Sequence, residues 1–225
     1  YKAGDQTEAH QKAISYYQSI AKQSLWQTKD DIQEHLEIFY HFYQLADYDS
    51  AFEAIRHCND FLTLRGYYAN QVELYGQLVN KWSEIDNRQN WHYLASLTSL
   101  GSAYKSLGQY ERAIAFHQQS LDIAIEMEDR KSEAISLESL GLTYHELQQY
   151  KRAVELHQNS LDIAVEMKDR KGEGDSLNNL GLSYCFLNEY ERAIDFLQQS
   201  LDIAVEMKDR KGEGSTLNNL GLIYN

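Results

Sequence analysis

Between residues 129 and 168 the apolar positions fall into two stripes at helical spacing. Leu137, Leu140, Tyr144 and Leu147 make the first; Val154, Leu156, Leu161, Ile163 and Ala164 make the second. Gln148-Gln149 between them reads as a tight turn. Asp129 stands where a helix needs an N-cap, because its carboxylate can accept from the free N–H groups of the first turn. The pattern returns every 40 residues without insertion. Gly101, Gly141, Gly181 and Gly221 are in step, as are Tyr104, Tyr144, Tyr184 and Tyr224. So are Tyr110, Tyr150 and Tyr190, then Ala113, Ala153 and Ala193, and the Asp-Arg pairs that begin at Asp129, Asp169 and Asp209. A fixed period of this kind marks a helical repeat array. Short turns between helices make antiparallel neighbours.

Gly141 sits within a helix, where glycine costs about 1 kcal/mol relative to alanine. Its recurrence calls for a steric reason, and the small Ala153 of the paired helix is expected to pack against it.

Residues 1–90 lack the period but keep helical spacing. Ala13, Tyr16, Tyr17, Ile20 and Ala21 form one stripe. Ile32, Leu36, Phe39, Tyr40, Phe42 and Tyr43 form a broad aromatic face that is expected to be buried. After a break at Ala46-Asp47, helices are predicted over about 49–64 and 68–85. Aligning Arg65-Gly66-Tyr67-Tyr68 with Leu107-Gly108-Gln109-Tyr110 sets Val72 on Ile114, Tyr75 on His117, Val79 on Leu121 and Asn87-Arg88 on Asp129-Arg130. Residues 49–85 therefore read as a degenerate hairpin in the register of the later repeats. A rival frame makes 48–64 a second helix, on Tyr48 and Ala51, but strands the next helix without a partner. The chain thus divides into a divergent helical segment, 1–90, and an array, 91–225, of three full repeats and the first helix of a fourth. The expected fold is all-α, a right-handed superhelix (an α-solenoid) of antiparallel helix hairpins.

Composition narrows the function. Proline is absent, which suits helix throughout. The net charge is −13 and no basic run stands out, so nucleic acid is not an expected partner. Cys58 and Cys185 are the two cysteines, far apart and without metal or redox spacing; they read as reduced thiols of a cytoplasmic protein. No apolar run reaches membrane-spanning length, and no signal peptide opens the chain. A start at Tyr1 and an end inside a repeat read as a fragment of a longer protein.

Leu140, Gly141 and Tyr144, then Tyr150 and Ala153, resemble the tetratricopeptide repeat. The likeness covers 96–225 fully and 49–88 weakly; the family's usual proline at the end of the second helix is missing. The 40-residue unit with Asp-Arg-Lys between repeats resembles the subclass in Pins/LGN-type adaptors. The Asn-Asn-Leu runs at Asn178 and Asn218 resemble kinesin light chain. The stretch 47–82 leading into repeats resembles the C-terminal region of bacterial STAND-type signalling NTPases with NB-ARC modules, although no phosphate loop occurs in this chain.

The resemblance implies a concave groove lined by first helices, binding a protein or peptide segment. On this chain its positions are Thr98, Ser102, Glu138, Leu142, His145, Asn178, Asn179, Leu182, Cys185, Asn218, Asn219 and Leu222. Asparagine is a mediocre helix former, so paired asparagines in mid-helix ask for a reason. One reading has them hold the backbone of an extended ligand, since an amide both donates and accepts. The other has them bond to each other between repeats, or simply persist from recent duplication. Lys or Arg on first helices would mark a carboxylate clamp, but Thr98, Ser102, Ser139, Asp175 and Asn179 are not basic.

Chemistry finds little footing. His117 and His157 are one repeat apart, about 8–10 Å for packed helices, too far to share a metal. Leu197 holds the third equivalent position, which points to packing. Cys185 with His145 lacks an orienting third group. Glu126, Glu166 and Glu206 read as solvated charge. We expect no catalytic residue, no metal and no cofactor: a non-catalytic binding scaffold, the sensor or adaptor arm of a larger bacterial signalling protein. The alternative is a structural spacer or self-assembly module, with self-association through the uncapped carboxyl end.

Overall fold

The computed structural model describes residues 3–21, 26–85 and 90–224. Among them all regular structure is helical, and the chain divides into two compact units, 1–107 and 108–225. The aligned pair Asn87-Arg88 lies outside the described residues.

The first unit holds α1 (Ala3–Ile20), a 3-10 turn (Lys29–Ile32), α2 (Gln33–Gln44), α3 (Tyr48–Leu64), α4 (Tyr68–Glu84) and α5 (Trp91–Ser106). Each helix packs on the next in sequence. Ile32, Cys58, Phe61 and Leu62 form one core cluster, with Trp26, Leu36, Tyr67 and Leu74 packed against it. Trp82, Tyr75 and Tyr93 are also buried, an unusual load of ring surface for so small a unit. Burial pushes the Cys58 thiol up to about 12, so it stays protonated and inert at neutral pH. Asn59 ties α3 to α4: its Oδ1 accepts from Gln71 Nε2 at 2.9 Å and from Tyr75 Oη at 3.0 Å. The aromatic face of α2 is less buried than its pattern predicts. Phe39 is buried, Leu36, Phe42 and Tyr43 are half-buried, and Tyr40 is 50% exposed because Ile38, not Tyr40, turns inward.

The second unit holds α6 (Tyr110–Glu126), α7 (Arg130–Glu146), α8 (Tyr150–Met167), α9 (Arg170–Phe186), α10 (Tyr190–Met207) and α11 (Arg210–Tyr224). Leu137, Leu140, Leu177 and Leu180 face Leu121, Leu161, Ile163 and Ile203 across the layers. Asp129 and Asp169 cap α7 and α9, accepting from Ser132 N and Gly172 N, each at 3.1 Å. Asp209 does the same for Gly212 N at 3.0 Å. Between one hairpin and the next runs a buried hydroxyl ladder. Ser136 bonds Ser120 at 3.0 Å, Ser176 bonds Ser160 at 3.1 Å, and Thr216 meets Ser200 at 3.2 Å. A buried hydroxyl needs such a partner, so the ladder pins the stacking register as well as adding energy.

The nearest neighbour of Gly141 is not the expected Ala153. A Cβ on Gly141 would stand 2.4 Å from Cε1 of His157, one turn further along α8. On Gly181 it would stand 2.5 Å from Cγ of Leu197, with the Ala193 carbonyl oxygen at 3.1 Å. The glycine makes room for the large residue one turn beyond the alanine. Ala153 and Ala193 are themselves fully buried.

Candidate functional site

The candidate groove positions of the second unit lie on α7, α9 and α11, the first helices of their hairpins. α7 supplies Glu138, Leu142 and His145; α9 supplies Asn178, Asn179, Leu182 and Cys185; α11 supplies Asn218, Asn219 and Leu222. Successive first helices are joined there by side-chain amides. Asn179 Nδ2 donates to Glu138 Oε1 at 3.1 Å, and Asn219 Nδ2 donates to Asn178 Oδ1 at 2.9 Å. The two bonds are the same contact made one repeat apart. Asn219 is buried, Asn178 and Asn179 are half-buried, and Asn218 is exposed. The asparagines therefore bond between repeats, and each such bond uses one of the four hydrogen-bonding positions of an amide. Beside them Leu142 and Leu182 are half-buried and Leu222 is 52% exposed.

His145 reaches toward the next first helix. Its Nδ1 is 3.4 Å from Ser183 Oγ, and its ring stands edge-on to Phe186 at 5.0 Å. Burial holds its imidazole below the ordinary value, with Glu146 acting in the opposite direction. Cys185 packs instead against the leucine cluster of α9 and α10, and burial raises its thiol. A protonated thiol in an apolar setting is a packing group, not a nucleophile. His157 likewise fills the space over Gly141.

Thr98 and Ser102 belong to α5 in the first unit. There they line a small polar cleft of about 130 Å³ with Asn59, Thr63 and Gln71. Thr98 Oγ1 donates back to Leu94 O at 3.1 Å.

A cleft of about 730 Å³ also lies in the first unit, and the sequence reading missed it. Its walls include His35, Asp49, Glu53, His57 and His92. A signal was present in the caps. Asp47 accepts from Ser50 N at 3.1 Å, as Asp129 does from Ser132 N. Carrying that register forward sets Asp49, Glu53 and His57 on the positions of Lys171, Asp175 and Asn179. Among the described residues no three metal-ligating side chains converge, and no helix is long and apolar enough to cross a membrane.

Stacked antiparallel hairpins of fixed length, joined through their first helices, define a helical-repeat solenoid. The tetratricopeptide repeat family model matches residues 92–166 and 132–206, together just over half of the chain, and the chain belongs to that family. No curated protein matches by sequence. Among solved structures, a Podosopora anserina putative kinesin light chain with nearly identical repeats is similar at 19% identity and a TM-score of 0.66. The match covers 89% of this chain and 94% of that one. A Rap protein complexed with competence and sporulation factor is similar at 14% identity and 0.62, over 85% of this chain and 63% of that one. A STAND protein with a tetratricopeptide repeat sensor, from Pyrococcus horikoshii, is similar at 17% and 0.58, over 95% of this chain and 36% of that one. At these identities the likeness concerns the fold, an all-α solenoid of antiparallel hairpins.

Proposed function

We propose that this chain is a non-catalytic scaffold whose first helices hold an extended protein or peptide segment. The observation that carries the reading is the pair of amide bonds, Asn179 to Glu138 and Asn219 to Asn178, flanked by Leu142, Leu182 and Leu222. A row of amides fixed by one bond each is pre-organised to offer its remaining positions to a peptide backbone, at little entropic cost. The leucines supply apolar contact. We read 91–225 as the binding array and 1–90 as its divergent extension, in the cytoplasm, as the sensor or adaptor arm of a larger bacterial signalling protein. The Rap complex and the STAND sensor support that setting by analogy of fold alone.

Selection from a random peptide library on the intact chain tests this. Recovered peptides should share spaced apolar residues and should crosslink to a photoreactive residue at Leu182 but not at exposed Glu155. Peptides that crosslink at Glu155 instead, or no enrichment at all, would remove the groove.

A second reading, self-assembly, draws on one feature. Leu217, Leu222 and Tyr224 on α11 are 50%, 52% and 73% exposed. Sedimentation should then show concentration-dependent association that Leu217→Glu with Tyr224→Glu abolishes; a monomer at high concentration would exclude it.

A further inference from the structure

In an array that repeats its residues so closely, a side chain that departs from the period stands out. Tyr110, Tyr150 and Tyr190 are in step, but the residues that could surround them are not. Lys105, His145 and Cys185 share one position, and Ser106, Glu146 and Phe186 share another. Around Tyr150 those departures bring three rings together. Phe186 stacks on Tyr150 at 5.1 Å with an interplanar angle of 19°. His145 stands edge-on to both, at 5.1 Å from Tyr150 and 5.0 Å from Phe186. Tyr150 and His145 are half-buried, whereas Phe186 leaves 47% of its surface open. A phenylalanine packed on one side and open on the other presents a ring to whatever lies over it. Asn178, Leu182 and Phe186 follow at four-residue intervals along α9, which sets them on one face of the helix. The rings therefore continue the line of the proposed groove past Leu182 to the end of α9.

The charges beside the rings are of both signs. Glu146 follows His145 and Lys151 follows Tyr150, and both are exposed. The nearby guanidinium groups are committed elsewhere: Arg152 lies over Tyr144 and donates to Gln149, and Arg192 lies over Tyr184 and pairs with Glu189. Burial holds His145 below its ordinary value, so its ring is neutral at neutral pH. A charged group arriving here would be drawn by one flanking charge and repelled by the other. An uncharged ring meets no such conflict, and its edge or face fits the open face of Phe186. We infer that His145, Tyr150 and Phe186 form the seat for an aromatic side chain of the segment that the groove holds. The inference rests on the reading of the first helices as a peptide groove and adds what that segment must carry.

The probe is a random peptide library, selected on the intact chain and on two variants of it. Phe186→Ser installs the residue that stands in step at Ser106. Phe186→Leu keeps apolar bulk without a ring and is the milder change should the first fold poorly. Peptides recovered on the parent should carry Phe, Tyr or Trp at one position, at a fixed spacing from the residue that crosslinks at Leu182. Pools recovered on both variants should lose that preference and keep the other positions. In a synthetic peptide from the parent pool, alanine in place of the aromatic residue should weaken binding to the parent about tenfold. The same replacement should weaken binding to Phe186→Ser by about twofold or less. Enriched peptides without an aromatic position, a basic or aliphatic residue in its place, or a preference unchanged in both variants would overturn the inference and leave the groove standing. No enrichment at all would remove the groove and this seat with it.

Discussion

Gly181 has Leu197 where a Cβ would stand, and Leu197 is fully buried. Gly181→Ala should therefore cost about 1–3 kcal/mol through overpacking, although alanine gains about 1 kcal/mol of helix propensity. Gly214 has nothing within 4 Å of its Cβ position, so Gly214→Ala should stabilise by about 0.5–1 kcal/mol. Thermal melts of the two variants should move in opposite directions; parallel shifts would refute the packing assignment. The sequence showed that Gly141 needed a close neighbour and named Ala153, whereas the nearest atoms are those of His157, one turn further along α8. Periodicity specifies which face of a helix meets its partner, not the axial offset, which depends on how the side chains interlock. His145 offers a second residue-level test. Its imidazole is held below its ordinary value by burial, so the neutral form is favoured in the fold. That contribution is present above the unfolded value, about 6.5, and is lost as pH falls through the folded one. Denaturant titrations between pH 7.5 and 5 should show stability declining on acidification, with a shallower decline in His145→Gln. An unchanged slope would mean that His145 is solvated.

Among the described residues, the turns between helices lean on the left-handed region. Ala46, Glu128, Gln148, Lys168, Asn188 and Lys208 have φ between 53° and 61°, whereas Gly66 and Gly108 have 72°. A residue with a Cβ costs about 1–2 kcal/mol there, and glycine does not. Lys168→Gly should accordingly raise stability by about 0.5–1 kcal/mol, less than the full relief because glycine also gains freedom when unfolded. Equilibrium unfolding checks this, and a loss would show that the entropy term dominates. The helices themselves were readable from the sequence: α3 and α4 fall within a residue or so of 49–64 and 68–85. Capping by Asp129 was also readable, because a short acid before an apolar period has one common use. The amide bonds were not settled by sequence. Asn178 and Asn179 carry no mark that distinguishes a bond to the next repeat from a bond to a ligand. The pairing across 41 residues, Asn219 to Asn178, shows that the bond to the next repeat is made, and it leaves further hydrogen-bonding positions on both amides.

At the scale of the molecule the two units were unequally legible. The second repeats its own sequence, so one reading of a hairpin serves for several. The first carries Asp49, Glu53 and His57 where the second carries Lys171, Asp175 and Asn179, and matched positions with unmatched chemistry leave no period to find. The account's central claim is that the amides of the second unit serve a bound segment beyond the bonds they make to each other. Asn179→Ala with Asn219→Ala separates the two roles. Losing two inter-repeat bonds should cost about 0.5–1.5 kcal/mol each, partly offset by the better helix propensity of alanine. A peptide backbone left without its amide partners should lose about 1–3 kcal/mol of binding, so affinity should fall about tenfold or more. Isothermal titration with the library-selected peptides, alongside a melt of the same sample, measures both. The account requires much weaker binding with a fold close to intact; unchanged affinity in a variant that melts lower would contradict it.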